Sequence, residues 1–229
     1  MCAEPTGQPP ESRMGSQQGV MDRRNFLKLG GAGLAAVALL GPVGTVFAKG
    51  EPSPGSSLAA EFKEAAREYG VPMELLMAMG YVNTHWEMPP PGANAYAEGD
   101  LHGWGSYGIM ALVQNPYSDT LGEASRLTGI SEEQLKTDRG ANILGGAALL
   151  ASSAGRVKPK TLPGFYGAVA GRGLAPGKNY AAVAGIGSGE LYAEQVLTAL
   201  EKGASLTIKS GERLSLPSVK LGSRIGGRS

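Results

Sequence analysis

Met73-Glu74-Leu75-Leu76-Met77-Ala78-Met79-Gly80-Tyr81-Val82-Asn83-Thr84-His85-Trp86 is apolar on nearly every side. The spacing predicts a helix over this whole stretch, and a helix without a polar face belongs inside a protein. Whatever follows Tyr81 then lies at the edge of the core. Pro72 suits the first turn, and Gly70 closes a preceding helix that begins near Ser57. That earlier helix carries Leu58, Phe62, Ala65 and Ala66 at helical spacing, with Glu61, Lys63, Glu64 and Arg67 turned outward.

Downstream, Met88 to Gly103 holds three prolines, Glu98 and Asp100, and has no periodicity. Loops of this length in a compact domain are often functional. Gly105 to Leu112 reads as a tight glycine turn into a short buried segment. Helices resume at Thr120 to Leu127, stopped by Gly129. Ser131-Glu132-Glu133-Gln134 has capping-box spacing, and Asp138 caps a helix reaching Ala151, with Ile143, Ala147, Leu150 and Ala151 on one face. Phe165 to Ala170 is a short helix. Another lies within Tyr180 to Lys202, best defined from Ser188, with Leu191, Val196, Leu197 and Leu200 inward and Gly203 at its end. Two alternating runs then flank Lys209-Ser210-Gly211, a hairpin over Ala204 to Leu216 that must dock on the helices to be stable. Ser218 to Ser229 is basic and glycine-containing and is expected to be disordered. The expected class is mostly α, with a small β-hairpin near the C-terminus.

Asp22-Arg23-Arg24-Asn25-Phe26-Leu27-Lys28 precedes an uncharged run to Ala48. Paired arginines before such a run read as a twin-arginine export signal. The run is rich in Ala and Gly and broken by Pro42, so it makes a poor membrane span. Val46-Phe47-Ala48 offers small residues for cleavage. The expected organisation is an extension and signal over 1–48, a Pro/Ser/Gly linker over 49–57, one domain over 58–217 and a tail over 218–229. The partners expected are then the twin-arginine machinery and, only transiently, the membrane. The protein would act outside the cytoplasm, as an extracellular, periplasmic or cell-wall protein.

Charge narrows the function classes. The chain has 21 Lys+Arg and 20 Asp+Glu. Residues 1–48 hold Arg13, Arg23, Arg24, Lys28, Glu4, Glu11 and Asp22, so 17 of each sign remain beyond Ala48. A neutral domain has no global field for nucleic acid. Cys2 is the only cysteine and precedes the signal, so neither a disulfide nor thiolate chemistry is expected of the exported part. His85 and His102 are the only histidines, too few for a metal site without further ligands at suitable spacing. No metal and no cofactor are expected.

Four strings in order carry a resemblance: Arg67-Glu68-Tyr69-Gly70-Val71-Pro72-Met73-Glu74-Leu75-Leu76, Tyr81 to Trp86, Tyr107-Gly108-Ile109-Met110-Ala111-Leu112, and Asp138 to Leu150. Together they resemble the lysozyme-like, soluble-lytic-transglycosylase type of domain, in the version that precedes the catalytic domain of some actinobacterial N-acetylmuramoyl-L-alanine amidases. Phe165-Tyr166-Gly167-Ala168-Val169-Ala170 and the hairpin after Gly203 also fit, so the resemblance covers about residues 58–217. It implies a mostly helical fold with a groove for a peptidoglycan strand or related glycan. It also implies a carboxylic acid at the end of the buried helix, kept protonated by apolar surroundings so that it can protonate the glycosidic oxygen.

In this chain that position is Asn83, and an amide has no proton to release at accessible pH. Related domains also place a tyrosine after the Ala-Val-Ala helix, where this chain has Arg172. The sequence given ends at Ser229, where the amidase domain would begin, so amidase chemistry is not expected of it. Glu87, four residues after Asn83, would share its helix face and is the best substitute acid. Glu98 and Asp100 are the loop alternatives. Trp104 and Tyr107 offer ring faces to a sugar, Met110 would floor the groove, and Tyr166 and Arg172 complete the candidate substrate-binding residues. Trp86 is expected in the core, Asn142 is expected to tie a helix, and Gly105 and Gly108 are expected to serve backbone geometry.

Three functions follow as expectations. The first is an exported, cell-wall-associated domain that binds glycan strands, with catalysis lost or strongly reduced. The second is an active hydrolase or lytic transglycosylase using Glu87 or a loop acid. The third is a non-catalytic interaction module that uses the hairpin and basic tail.

Overall fold

The computed structural model describes residues 57–99, 105–172 and 189–222. The export signal, residues 49–56 of the linker, Asp100, His102, Trp104 and the end of the tail lie outside the described residues.

The described chain is mostly helical. Helix α1 (Leu58–Tyr69) starts on Ser57, whose hydroxyl accepts the Ala60 N–H, and stops at Gly70 in the left-handed conformation. Helix α2 (Met73–Thr84) follows at once, buried from Leu75 through Gly80 and half-buried over its last turn. A small sheet comes next, with antiparallel strands β1 (Ser106–Tyr107), β2 (Leu112–Asn115) and β3 (Ser118–Asp119) in that order. Residues 105–112, expected as a turn into a buried segment, therefore contribute strand β1 and the first residue of β2. Helices α3 (Thr120–Thr128), α4 (Glu132–Thr137) and α5 (Arg139–Ala154) are each opened by a side-chain cap, from Asp119, Ser131 and Asp138. The Ser131–Gln134 capping box is complete. A 3-10 turn (Pro163–Phe165) leads into α6 (Tyr166–Val169). Helix α7 (Gly189–Lys202) is followed by the hairpin β4 (Ala204–Thr207) and β5 (Arg213–Leu216), paired from Ala204 with Leu216 to Thr207 with Arg213.

Helix α5 is the most enclosed element, with Gly140 through Leu150 all buried. It packs against α1, α3, α4 and α6, while α2 packs mainly against α1 and α7. Small residues make this enclosure possible. A Cβ on Gly146 would stand 2.6 Å from Met110 Cγ, so only glycine admits that side chain. Helix α7 turns Tyr192, Ala193, Val196, Leu197 and Leu200 inward. Leu191, expected inward, is 48% exposed, because the buried stripe runs through Tyr192, Val196 and Leu200 one residue later.

The hairpin docks through one face of β5, where Leu214 and Leu216 are buried while Arg213 and Ser215 are exposed. Docking continues past Pro217. Val219 N–H donates to Leu200 O at 2.9 Å and Leu221 is buried, so the start of the expected disordered tail belongs to the packed body.

The hairpin turn is also tied by charge. Glu212 accepts the Leu58 N–H at 2.9 Å and Arg139 Nη1 at 2.6 Å. Arg139 also forks onto Glu61 with two 2.8 Å bonds. One network therefore joins the starts of α1 and α5 to the hairpin. These bonds, the Leu58 N–H foremost and then those from Arg139 and Ser210, hold the Glu212 carboxyl below its ordinary range against the opposing effect of burial. A depressed carboxylate stabilises the fold above its unfolded-state pKa and loses that contribution as pH falls through the folded value. Urea titrations of wild type and Glu212→Gln should therefore differ at neutral pH, by about 1 kcal/mol or less for a half-exposed group. The two should converge on acidification below the ordinary carboxylate range.

Candidate functional site

Helix α2 ends earlier than its sequence predicts. Thr84 is its last residue, and His85 and Trp86 both take left-handed backbone conformations, with φ of 53° and 63°. His85 N–H donates to Tyr81 O at 2.9 Å and Trp86 N–H to Gly80 O at 3.3 Å, a closure that ordinarily employs glycine. Burial of Trp86 holds the chain there. The indole is fully buried and its Nε1 donates to Met77 O at 2.7 Å. Tyr81 packs on both neighbours, its ring centroid 4.9 Å from His85 and 5.0 Å from Trp86.

Among the described residues only one other non-glycine has a positive φ, Ala111 at 48°. It belongs to the turn of Gly108 to Ala111, which the end of α2 touches: Thr84 Oγ1 donates to Gly80 O at 3.3 Å and lies 3.5 Å from Ile109 O. Each such residue costs about 1 kcal/mol or more, and strain of this kind gathers at functional sites. Asn83 sits beside this strained pair of turns.

The turn over 108–111 is fixed from below by Asn142. This fully buried side chain accepts the Met110 N–H at 2.8 Å and donates to Tyr107 O and Leu135 O at 3.0 and 2.9 Å. Gly108 has φ of 71°, and a Cβ there would lie 2.2 Å from Asn142 Nδ2. Asn142 thus ties the turn to α5.

Asn83 is half-buried on the last turn of α2, and its Nδ2 is buried with no hydrogen-bond partner. Its amide lies against the hydroxyl of Tyr192 on α7. Burial pushes the Tyr192 phenol well up, and the Asn83 amide acts in the opposite sense. Tyr192 did not stand out in the sequence. The available signal was its place four and eight residues before Val196 and Leu200, which puts a phenol in the buried stripe.

Glu87 does not share a helix face with Asn83, because two left-handed residues intervene. Its Oε1 instead accepts the Lys209 N–H at 2.9 Å and fastens the hairpin turn. Glu98 is exposed in the loop. Met110 is fully buried under α5, so it packs the turn and offers no surface to a ligand. Tyr107 is half-buried, with Lys136 Nζ 4.7 Å from its ring centroid. That ammonium also donates to Gln114 Oε1 at 2.7 Å, so one face of the ring is already covered.

Tyr166 and Arg172 form a separate cluster. The Arg172 guanidinium stands 5.7 Å from the Tyr166 ring centroid and 3.2 Å from Glu190. Tyr166 Oη donates to Glu190 O at 3.3 Å. Burial, with the nearby charges of Glu194 and Glu190, raises the Tyr166 phenol. Glu190 and Glu194 share one face of α7, whereas Tyr192 is turned inward, so this cluster and Asn83 lie on different faces of the helix. Among the described residues no group of three or more His, Cys, Asp or Glu could hold a metal ion. No protein-family model matches the chain, and no curated protein matches it.

Proposed function

We propose that the protein is an exported, cell-wall-associated domain of the lysozyme-like type. On this reading it binds peptidoglycan or a related glycan and does not cleave it. The observation that carries the proposal is Asn83: a half-buried amide at the end of an apolar helix, framed by the strained turns at His85–Trp86 and Ala111. That is the position where the resemblance puts a proton donor. The amide keeps hydrogen-bonding capacity there and lacks a transferable proton. The engagement of Glu87 by the hairpin backbone removes it from that position and weighs against a substitute acid.

A sedimentation assay with purified sacculi tests this. The exported part of the chain, from Lys49 on, should co-sediment with sacculi and release no soluble muropeptides on prolonged incubation. A protein left wholly in the supernatant ends the binding claim. Released muropeptides would instead support an active enzyme.

A further inference from the structure

Helix α5 ends at Gly155, and the chain leaves it as Arg156-Val157-Lys158-Pro159-Lys160. A cation stands at every second residue, and the sequence holds no Asp or Glu from Arg139 to Gly189. The segment is anchored at two points. A Cβ on Gly70 would lie 3.9 Å from both Cδ and Cε of Lys158, so the half-buried lysine stem crosses the junction of α1 and α2. A Cβ on Gly164 would lie 2.8 Å from Pro159 Cβ, an approach that only glycine admits. Arg156, Val157 and Lys160 are left exposed. The ion pairs among the described residues engage Arg67, Arg126, Arg139 and Arg172. Neither the cations of this loop nor Glu68 and Glu74, the acids nearest Gly70 in sequence, take part in them. Val157 is 89% exposed, more than any other large apolar side chain among the described residues.

A neutral domain is not drawn as a whole to an anionic surface, but charge also acts locally, within a Debye length of about 10 Å. Each Lys or Arg close to an anionic bilayer strengthens binding about fivefold, so three together give about 100-fold. A phosphate polymer would use the cations and leave Val157 in water. An anionic bilayer uses both, because interfacial binding adds buried apolar area to electrostatic attraction. We propose that the loop of Arg156 to Lys160 is a membrane-docking surface, which seats Val157 among the headgroups of an anionic phospholipid bilayer and sets its three cations against the phosphates. The inference goes beyond the glycan-binding reading and does not depend on it. Lys158 lies at the start of α2 and Asn83 on its last turn, roughly 15 Å further along the helix. Docking through the loop therefore leaves the Asn83 end free, and a weak, salt-sensitive contact would hold the exported domain at the outer face of the bilayer.

Lys49–Ser229 is a compact unit by itself, so it can be tested without the preceding apolar run, which would bind lipid on its own account. Flotation with vesicles of equal parts phosphatidylglycerol and phosphatidylcholine should carry the protein upward at low salt, and vesicles of phosphatidylcholine alone should not. High salt should release it. Arg156→Gln combined with Lys160→Gln should weaken binding at least about tenfold. Val157→Ala keeps every charge and should weaken it about threefold. All three positions are exposed, so the fold and the retention on sacculi should be unchanged in these variants. Equal binding to both vesicle types, or binding indifferent to the double variant, would overturn the proposal. So would a protein that floats with neither, and its capture by soluble polyphosphate would then mark the loop as a site for phosphate polymers. Flotation with anionic vesicles by a protein that ignores sacculi would uphold the docking surface and end the glycan reading.

Discussion

Trp86→Ala should lower the stability of the domain by about 4 kcal/mol, the middle of the range for removing a buried aromatic side chain. Three terms act together. The indole is fully buried, so its removal leaves a cavity next to Phe62, Ile109 and the rest of the core. Met77 O loses the 2.7 Å bond from Nε1 and stays buried inside α2. The left-handed backbone at 85–86 then lacks the side chain that held it there. A domain of this size has about 5–15 kcal/mol in hand, so the variant should be largely destabilised and in part unfolded at 37 °C. Urea unfolding followed by circular dichroism measures the shift in midpoint at constant slope. Trp86→Phe separates the terms: it keeps most of the volume, loses the N–H, and should cost roughly 1–3 kcal/mol. If alanine cost under about 1 kcal/mol, Trp86 would not be the anchor of the helix end, and the placement of Asn83 relative to the turn at 108–111 would need another cause.

The same residue marks where local sequence signals stop deciding the structure. Most helix starts were legible because each is written in one or two residues: Ser57 before Leu58, the Ser131–Gln134 box, and Asp138 before Arg139. Gly70, Gly129 and Gly203 likewise mark ends that a left-handed residue can form. The end of α2 was not legible, since nothing in Asn83-Thr84-His85-Trp86 breaks a helix. There the burial of an indole and its bond to Met77 override local preference. Strands β1 to β3 escaped for another reason. Two to four residues are too few for alternation to show; the pairing of β1 with β2 is set by the Gly108 turn that Asn142 braces, and that of β2 with β3 by a turn in which Asn115 Oδ1 accepts the Tyr117 and Ser118 N–H groups. Among the candidate site residues, Asn83 was singled out only through the resemblance. Tyr107, Met110, Tyr166 and Arg172 were brought together by analogy, and their actual surroundings depend on Lys136, Gly146 and Glu190, contacts made between separate elements.

On the proposed glycan-binding reading, Asn83→Glu should give a protein that releases muropeptides. A carboxyl group at this position would stand in a half-buried setting at the end of an apolar helix, near the buried phenol of Tyr192. Desolvation there raises a carboxyl pKa, and a raised pKa keeps the proton available near neutral pH. General acid catalysis contributes about 10²–10⁴-fold, so release from sacculi should rise by at least about 100-fold over wild type. The longer, ionisable side chain should also destabilise the fold, by roughly 1–3 kcal/mol, because the position was packed around an amide. Arg172 sets a second condition. Held by Glu190 and stacked near Tyr166, it does not supply the phenol that the proposed resemblance would place after the Ala-Val-Ala helix. Adding Arg172→Tyr should therefore raise the rate of the Asn83→Glu enzyme further and leave the wild-type background silent. Chromatography of the soluble fraction measures both variants against Asn83→Gln, which supplies the extra length without the acid. A folded Asn83→Glu variant that still sediments with sacculi but releases nothing would show that Asn83 does not occupy the position of a lost acid, and the proposed relation between this site and glycan cleavage would fall with it.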